Sequence, residues 1–387
     1  MSLNPNERGP LAGTAVDGPP GRPPSWRGPL AELARVEADR PGPLLAFLDE
    51  HAVAVAAGEV GIGLLLGARG CAALGDVPAG PPSPVRVPEC VAVAFRRGGE
   101  TSPAVGARVM GEWQVGEWRV GEWRVSWSDR EHARAVELVR EAIARGDVYQ
   151  ANVVGHRSAS FDGDPRAMAA ALSALPGAAY GGVMAGHGWL VASASPEQLI
   201  SVRGDRVTTE PIKGTGHDPE ALRASEKDRA EHVMIVDLER NDVARVSRTG
   251  SVEVEELYTV ASWAGLWHAG SRVVGRLAPG TSTADVLRAV LPGGSVTGAP
   301  KHAACRLLAA LEPVGRGPAM GAMGFLCDSG LDLGLTIRTV AVADGRVHLW
   351  AGGGITWSSD PATEVAEAHA KAAPVQSALS QVRPSSS

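Results

Sequence analysis

Residues 209–217 read TEPIKGTGH, with Lys213 between an apolar Ile212 and the pair Gly214 and Thr215. The lysine follows a run that reads as a β-hairpin, and a local reading gives its ammonium no obvious partner. The segment from Trp189 to Val207 reads as two strands joined at Arg203-Gly204-Asp205. Upstream, Ser128 and Glu131 form a capping box. Ala133, Val136, Leu138, Val139 and Ile143 supply apolar positions, and Gly146 is a stop signal, so the pattern predicts a helix. That helix leads into a strand over Val148 to Val154. Helical patterns recur at about 225–240, 301–311 and 361–380, with β-rich stretches at Leu335–Val342 and Val347–Trp350. Helices and strands mix without strict βαβ alternation, which predicts an α+β fold.

The 387 residues carry a net charge of −6, and no basic stripe with interleaved aromatics occurs, so nucleic acid is excluded as a partner class. The four cysteines, Cys71, Cys90, Cys305 and Cys327, have no C-x-x-C spacing, which predicts reduced core thiols in a cytoplasmic protein. The apolar run Ala52–Gly67 contains Glu59 and falls short of the roughly 20 residues a membrane helix needs, so it reads as buried strand or helix and no membrane is expected. Residues 1–28 are dense in Pro and Gly and read as a disordered tail, as do residues 381–387. Residues 29–127 form an N-terminal region that ends in the repeat GEWQVGEWRVGEWRVSW, residues 111–127. A spacing of five between Trp113, Trp118 and Trp123 matches neither strand nor helix period, and the repeat reads as a short expansion in a loop or ribbon.

Two helical segments gather carboxylates. Asp228 and Glu231 are i and i+3. Asp360 reads as an N-cap before Pro361, which sets Glu364, Glu367 and Lys371 along one stripe. Each alone reads as a solvated face; facing one cleft, they would suit Mg²⁺, which takes oxygens from one or two carboxylates plus substrate and water. Two glycine-rich stretches read as loops. PGGSVTGAPK, residues 292–301, lacks the Gly-Lys-Ser/Thr ending of a phosphate loop, and AGGGITW, residues 351–357, lets backbone N–H groups approach a carboxylate. His268 alone reads as a core histidine.

Together, GDVYQANVV, SASPEQL, EPIKGTG, AEHVMIVDLERND, PGGSVTGAPK, LTIRT and AGGGI, in that order across residues 146–371, resemble the chorismate-utilising enzymes. That family includes anthranilate synthase and aminodeoxychorismate synthase components I and the isochorismate and salicylate synthases. The resemblance implies two stacked β-sheets flanked by helices, with residues 128–380 as the chorismate-binding catalytic region. Anthranilate, isochorismate and salicylate synthases typically carry Ala at the position of Lys213, whereas the aminodeoxychorismate branch carries P-I-K-G-T. By resemblance, Lys213 is therefore a nucleophile toward ring carbon 2 of chorismate. Water-adding members hold a lysine where this chain has Gln150, which is not basic.

The same resemblance makes Glu197 the acid that protonates the departing hydroxyl. It makes Glu231 and Glu367 ligands of Mg²⁺, with Asp228 and Glu364 in support. Gly214, Thr215, Arg338, Gly352, Gly354 and Lys371 become substrate-binding positions, and His268 matches the family histidine. The implied reaction is Mg²⁺-dependent amination of chorismate by ammonia to 4-amino-4-deoxychorismate, toward p-aminobenzoate and folate or a specialised pathway. No glutaminase segment is visible, which implies a separate glutamine amidotransferase subunit. Anthranilate synthase component I is the enzymatic rival, and a non-catalytic binding relative is the rival of another class. The sequence departs from the family at WHAGS (267–271), Gln198 and Gly334, and in lacking a tryptophan-binding L-L-E-S pattern.

Overall fold

The computed structural model describes residues 30–97, 117–263 and 266–380. Both expected tails and the first repeat copy with Trp113 lie outside them. Two antiparallel sheets stack. The first runs in the order Leu30–Ala38, Cys90–Arg97, Gly61–Leu66, Ala322–Cys327, Gly330–Leu335, Gln198–Arg203, Arg206–Thr209, Leu266–Arg276 and Ile212–Gly216, with Glu253–Trp263 also paired to Leu266–Arg276. The second runs Gly298–Ala299, Gln150–Gly163, Arg346–Ile355, Thr339–Ala343, Trp189–Ser193 and Gly182–Gly186. Three strands from the N-terminal region thus join a sheet with strands from the far end of the chain. Gly61–Leu66 reads GIGLLL with every residue buried, as expected of a strand covered on both faces. The α+β expectation and the two stacked sheets hold.

Two of the places where the chain changes sheet fall inside β-rich runs, and the sequence reading missed both. The run expected as two strands over Trp189–Val207 is three. Trp189–Ser193 lies in the second sheet and Gln198–Arg203 in the first, although the hairpin at Arg203–Arg206 forms as expected. Likewise Leu335–Val342 is not one strand: Gly330–Leu335 ends in the first sheet, and Thr339–Ala343 begins in the second. The two crossings brace each other, with Leu335 N–H donating to Glu197 O at 3.0 Å and Ala194 N–H donating to Arg338 O at 3.1 Å. Period-two alternation records which face a residue takes, not which sheet it joins.

Three boundaries also differ. The strand expected at Val148–Val154 runs from Gln150 to Gly163, paired along ten residues with Arg346–Ile355. The expected loop AGGG therefore lies inside a strand. A Cβ on Gly352 would stand 2.0 Å from Val153 O, so glycine lets the two backbones close. The apolar run Ala52–Gly67 divides into the end of helix Pro41–Ala56 and strand Gly61–Leu66, turning at Gly58 with φ +73°.

Local signals placed the helices better. Asp129–Ala144 starts on the Ser128–Glu131 capping box, although Ala135 and Ala142 are buried while Ala133, Leu138 and Ile143 are half-buried. Helices Glu226–Ala244, Lys301–Leu311 and Pro361–Ser380 fall where their patterns predicted, the last capped by Asp360 Oδ1 accepting from Thr363 N–H at 2.9 Å. The second and third repeat copies are edge strands on Gln150–Gly163, and Trp118 Nε1–H donates to Leu379 O at 2.9 Å. All four cysteines are free and buried. Among the described residues no helix is long and apolar enough to cross a membrane.

Candidate active site

Strand Ile212–Gly216 pairs with Leu266–Arg276 at Ile212↔Gly270 and Thr215↔His268, but the register shifts between those pairs. The irregularity falls on Lys213 and Gly214, the latter at φ +80° where a side chain would be strained. Such a break re-aims a side chain out of the ladder. A Cβ on Gly214 would stand 3.3 Å from Leu222 and 3.7 Å from Asp228 Cβ, so Asp228 packs behind this glycine. His268 stands opposite Thr215 on the neighbouring strand, half-buried; the Thr215 side chain lies outside what the structure describes.

Glu197 stands in the first sheet crossing, 8% exposed, after Ser-Pro breaks the strand. Burial pushes its carboxyl above the ordinary range, opposed first by the Lys213 charge, then by Ser295, the Lys371 charge and the Ile212 N–H. Glu197 Oε1 and Ser295 Oγ are both buried without a hydrogen-bond partner, so the serine approaches the carboxyl without closing a good bond. Lys213 and Lys371, distant in sequence, therefore act on one buried acid.

Lys371 connects to the acidic stripe. Its Nζ donates to Gly352 O at 3.1 Å and pairs with Glu367 Oε1 at 2.5 Å. Where a Gly353 Cβ would stand, Glu364 Oε2 is 3.2 Å away, Lys371 Nζ 3.6 Å and Glu367 Oε1 3.7 Å, so the expected stripe is real and closes over the strand at Gly353. Glu231 reaches the same strand end, accepting from Thr356 Oγ1 at 3.2 Å. Asp228 and Glu231, expected to share a face, thus serve two neighbours, Gly214 and Thr356. Among the described residues no group of three or more His, Cys, Asp or Glu side chains is gathered to hold a metal by itself. What the chain offers is hard oxygen donors in ones and twos, a set that fits Mg²⁺ when a substrate and water complete the shell.

On the other side of the glycine strand, Gln150 is 1% exposed, its Nε2 2.1 Å from where a Gly354 Cβ would be, and its Oε1 buried without a partner. Arg338 stands in the second crossing at φ +49°, a costly conformation for a side-chain-bearing residue. Burial alone acts on its guanidinium, pulling it below the usual range, and no carboxylate among the described residues offsets this. A half-buried cation that no carboxylate among the described residues neutralises is suited to an anionic ligand.

Two residues given no role by the sequence reading belong here. Ser295 lay in a stretch read as a turn. His232, fully buried beside Glu231, holds Ser271 Oγ at 2.5 Å through Nε2 and leaves Nδ1 buried and unpartnered. Burial, then the Lys213 charge, lowers the imidazole to about 4, so it is neutral at neutral pH. Adjacency to Glu231 was the only signal for His232, and helical periodicity cannot show that its face is covered.

The departures at Gln198 and Gly334 are one packing solution. The two residues pair in register, Tyr180 fills the space above Gly334, 2.5 Å from where its Cβ would be, and Gln198 Nε2 meets Tyr180 Oη at 2.7 Å. With the amide turned the other way, Gln198 would accept from Tyr180 and donate toward Asp332, relieving the buried Gln198 Oε1 and Asp332 Oδ1 that now lack partners.

The fold of two stacked sheets is shared with solved structures of known class. Anthranilate synthase component I from Streptococcus pneumoniae superposes with a TM-score of 0.71 at 27% identity, covering 82% of this chain and 80% of that one. The menaquinone-specific isochorismate synthase of Escherichia coli shares the fold with a TM-score of 0.68 at 19% identity, covering 90% of this chain and 84% of its own. The description "chorismate binding enzyme" matches residues 107–377, and the chain belongs to that family. It is 41% identical over 252 residues to anthranilate synthase component 1 of Streptomyces coelicolor, covering 62% of this chain and 49% of the relative. It is 36% identical over 258 residues to aminodeoxychorismate synthase component 1 of Bacillus subtilis, covering 64% and 55%. The chain spans about half the length of these curated relatives.

Proposed function

We propose that the chain aminates chorismate to 4-amino-4-deoxychorismate with Lys213 as a covalent nucleophile. The observation that carries this reading is Lys213 itself, at a break in its strand ladder and with its charge acting on a buried, incompletely bonded Glu197. A neutral Lys213 amine attacks ring carbon 2, the ring double bonds shift, and the carbon 4 hydroxyl leaves as water with the proton of Glu197. Ammonia then bonds to carbon 4, the double bonds shift back, and the carbon 2–nitrogen bond breaks to release Lys213, so one ammonia enters for each water lost. Arg338 and Lys371 hold the carboxylates of the substrate, and Gln150, lacking basicity, does not activate water. Glu231 and Glu367, supported by Asp228 and Glu364, are the residues to hold Mg²⁺, which when bound would neutralise and orient the ring carboxylate.

The relatives named as component 1 support a separate amidotransferase partner that supplies ammonia. The likeness to an anthranilate synthase component favours a second reading, amination at carbon 2, which a lysine occupying carbon 2 opposes. The deciding experiment gives the purified chain chorismate, Mg²⁺ and ammonium. The expected product is converted to p-aminobenzoate by an added lyase, with a transient adduct on the Lys213 peptide seen by mass spectrometry; fluorescent anthranilate as the main product overturns the reading.

A further inference from the structure

Ser271 lies on strand Leu266–Arg276, fully buried, and three segments meet on it. Its backbone N–H donates to Pro211 O at 3.1 Å. Its Oγ accepts the Tyr258 N–H at 2.9 Å and stands 2.5 Å from His232 Nε2. His232, equally buried, comes from helix Glu226–Ala244, and Tyr258 from strand Glu253–Trp263. The chain two residues before Lys213 is thereby joined to the helix that carries Asp228 and Glu231.

A second set of contacts holds the other side of Lys213. Tyr258 Oη donates to Leu222 O at 3.0 Å, and Leu222 is the side chain that a Cβ on Gly214 would meet at 3.3 Å. Asp228, one turn before His232 on the same helix, packs behind Gly214 as well. Tyr258 holds φ +53°, a costly conformation kept in place by hydrogen bonds at its backbone and at its ring. Lys213 thus sits at the break in its ladder with Pro211 fastened on one side and Gly214 packed on the other. In keeping with that nearness, the Lys213 charge acts on the His232 imidazole.

We propose that His232 and Ser271 are positioning residues, which aim Lys213 by fastening its strand to the helix bearing Asp228 and Glu231. The inference rests on the reading of Lys213 as the nucleophile. Where a ladder is interrupted, cross-strand bonds no longer set the direction of a side chain, so the direction comes from whatever holds the backbone on either side. Buried hydrogen bonds suit that task because leaving a partner unmet is costly. Neither His232 nor Ser271 needs to touch the substrate.

Hydrogen exchange and turnover of the full chain test the proposal. Ser271→Ala removes the hydroxyl from the junction. His232→Leu keeps bulk without the bond, and His232→Gln carries an amide that can meet Ser271 Oγ. Without substrate, Ser271→Ala and His232→Leu should speed backbone exchange over residues 209–217 at least about tenfold. Residues 150–154, held by Arg316 and Glu312, should keep the wild-type rate. In turnover, both variants should lower kcat by about 10²-fold, the effect of a small misplacement of a reacting group. The KM for chorismate should stay level, because Arg338 and Lys371 hold the carboxylates. His232→Gln should recover most of the kcat lost in His232→Leu, and this pair decides the matter if Ser271→Ala does not fold. Unchanged exchange at 209–217, a KM that rises as kcat falls, or a His232→Gln chain no better than His232→Leu overturns the proposal. The exchange arm needs no product, so a chain that makes anthranilate would sink the proposed function and leave this test standing.

Discussion

Ser295 and Val296 are neighbours in sequence and serve two regions of opposite character. Val296 O accepts from Arg316 at 2.6 Å and from Asn152 Nδ2 at 3.2 Å. Arg316 also holds Asn152 O and Glu312, each at 2.6 Å, and Glu312 accepts the Val154 N–H at 3.1 Å. One residue earlier, Ser295 Oγ is buried with no partner, as are Glu197 Oε1, which it approaches, and His232 Nδ1. Every such orphan weakens the fold, since an unsatisfied buried polar atom costs roughly 1–3 kcal/mol. The Lys213 charge acts on both Glu197 and His232, and these open groups, set against the completed network at Arg316, contrast polar groups that build the scaffold with groups left for a ligand to meet.

The sharpest test of the contrast is at Glu197. Glu197→Gln should lower kcat by about 10²–10⁴-fold, as loss of a general acid does, while the thermal midpoint stays level or rises because a buried acid has gone. Parallel loss of stability would place Glu197 with the scaffold instead. Next comes Arg316→Met, which strands Glu312 and two carbonyls. It should destabilise the fold by about 3–5 kcal/mol in denaturant titration. A midpoint close to wild type would mean the network is not the support it looks to be.

The buried histidines extend the comparison to pH. Burial, the largest cause in each case, lowers His156 to about 3 and His348, His132 and His232 to about 4, each well under the unfolded value near 6.5. The unfolded chain therefore binds more protons than the folded one below pH 6.5. Their contribution to stability is present above that pH and is lost as pH falls toward 4. His348→Gln should flatten this slope in denaturation measured from pH 7 to pH 5, and an unchanged slope would discount the imidazole. The smallest effect expected is Trp118→Phe. It removes one hydrogen bond to Leu379 O, worth about 1 kcal/mol, and should leave the KM for chorismate unchanged. A raised KM would tie the repeat to the site.

How much was readable in advance depended on the range of the interaction. Helix Asp129–Ala144 was, because Ser128 and Glu131 meet across one turn. So was the acidic stripe Glu364, Glu367 and Lys371, because helical geometry sets it on one face. The family motifs also brought Lys213, Glu197 and Arg338 forward as a group, and the structure brings Lys213 and Lys371 to bear on Glu197. The two sheet crossings were invisible, since nothing local in SASPEQ or LTIRT says that the strand after each break pairs in another sheet. Both motifs carry site residues at those very breaks.

By itself, then, the sequence determined the family, the α+β class and the capped helices, all of which depend on residue identity or on contacts within a few positions. The tertiary structure alone decided that the glycine run is a strand pressed against Val153, that Glu231 reaches Thr356 while Asp228 packs behind Gly214, and that the Lys213 charge acts on both Glu197, which Ser295 approaches, and the buried His232. These are encounters between segments far apart in the chain, and burial is what gives them consequence: removing water turns an ordinary serine, histidine or glutamate into a group whose unmet hydrogen bond or charge must be answered by something else.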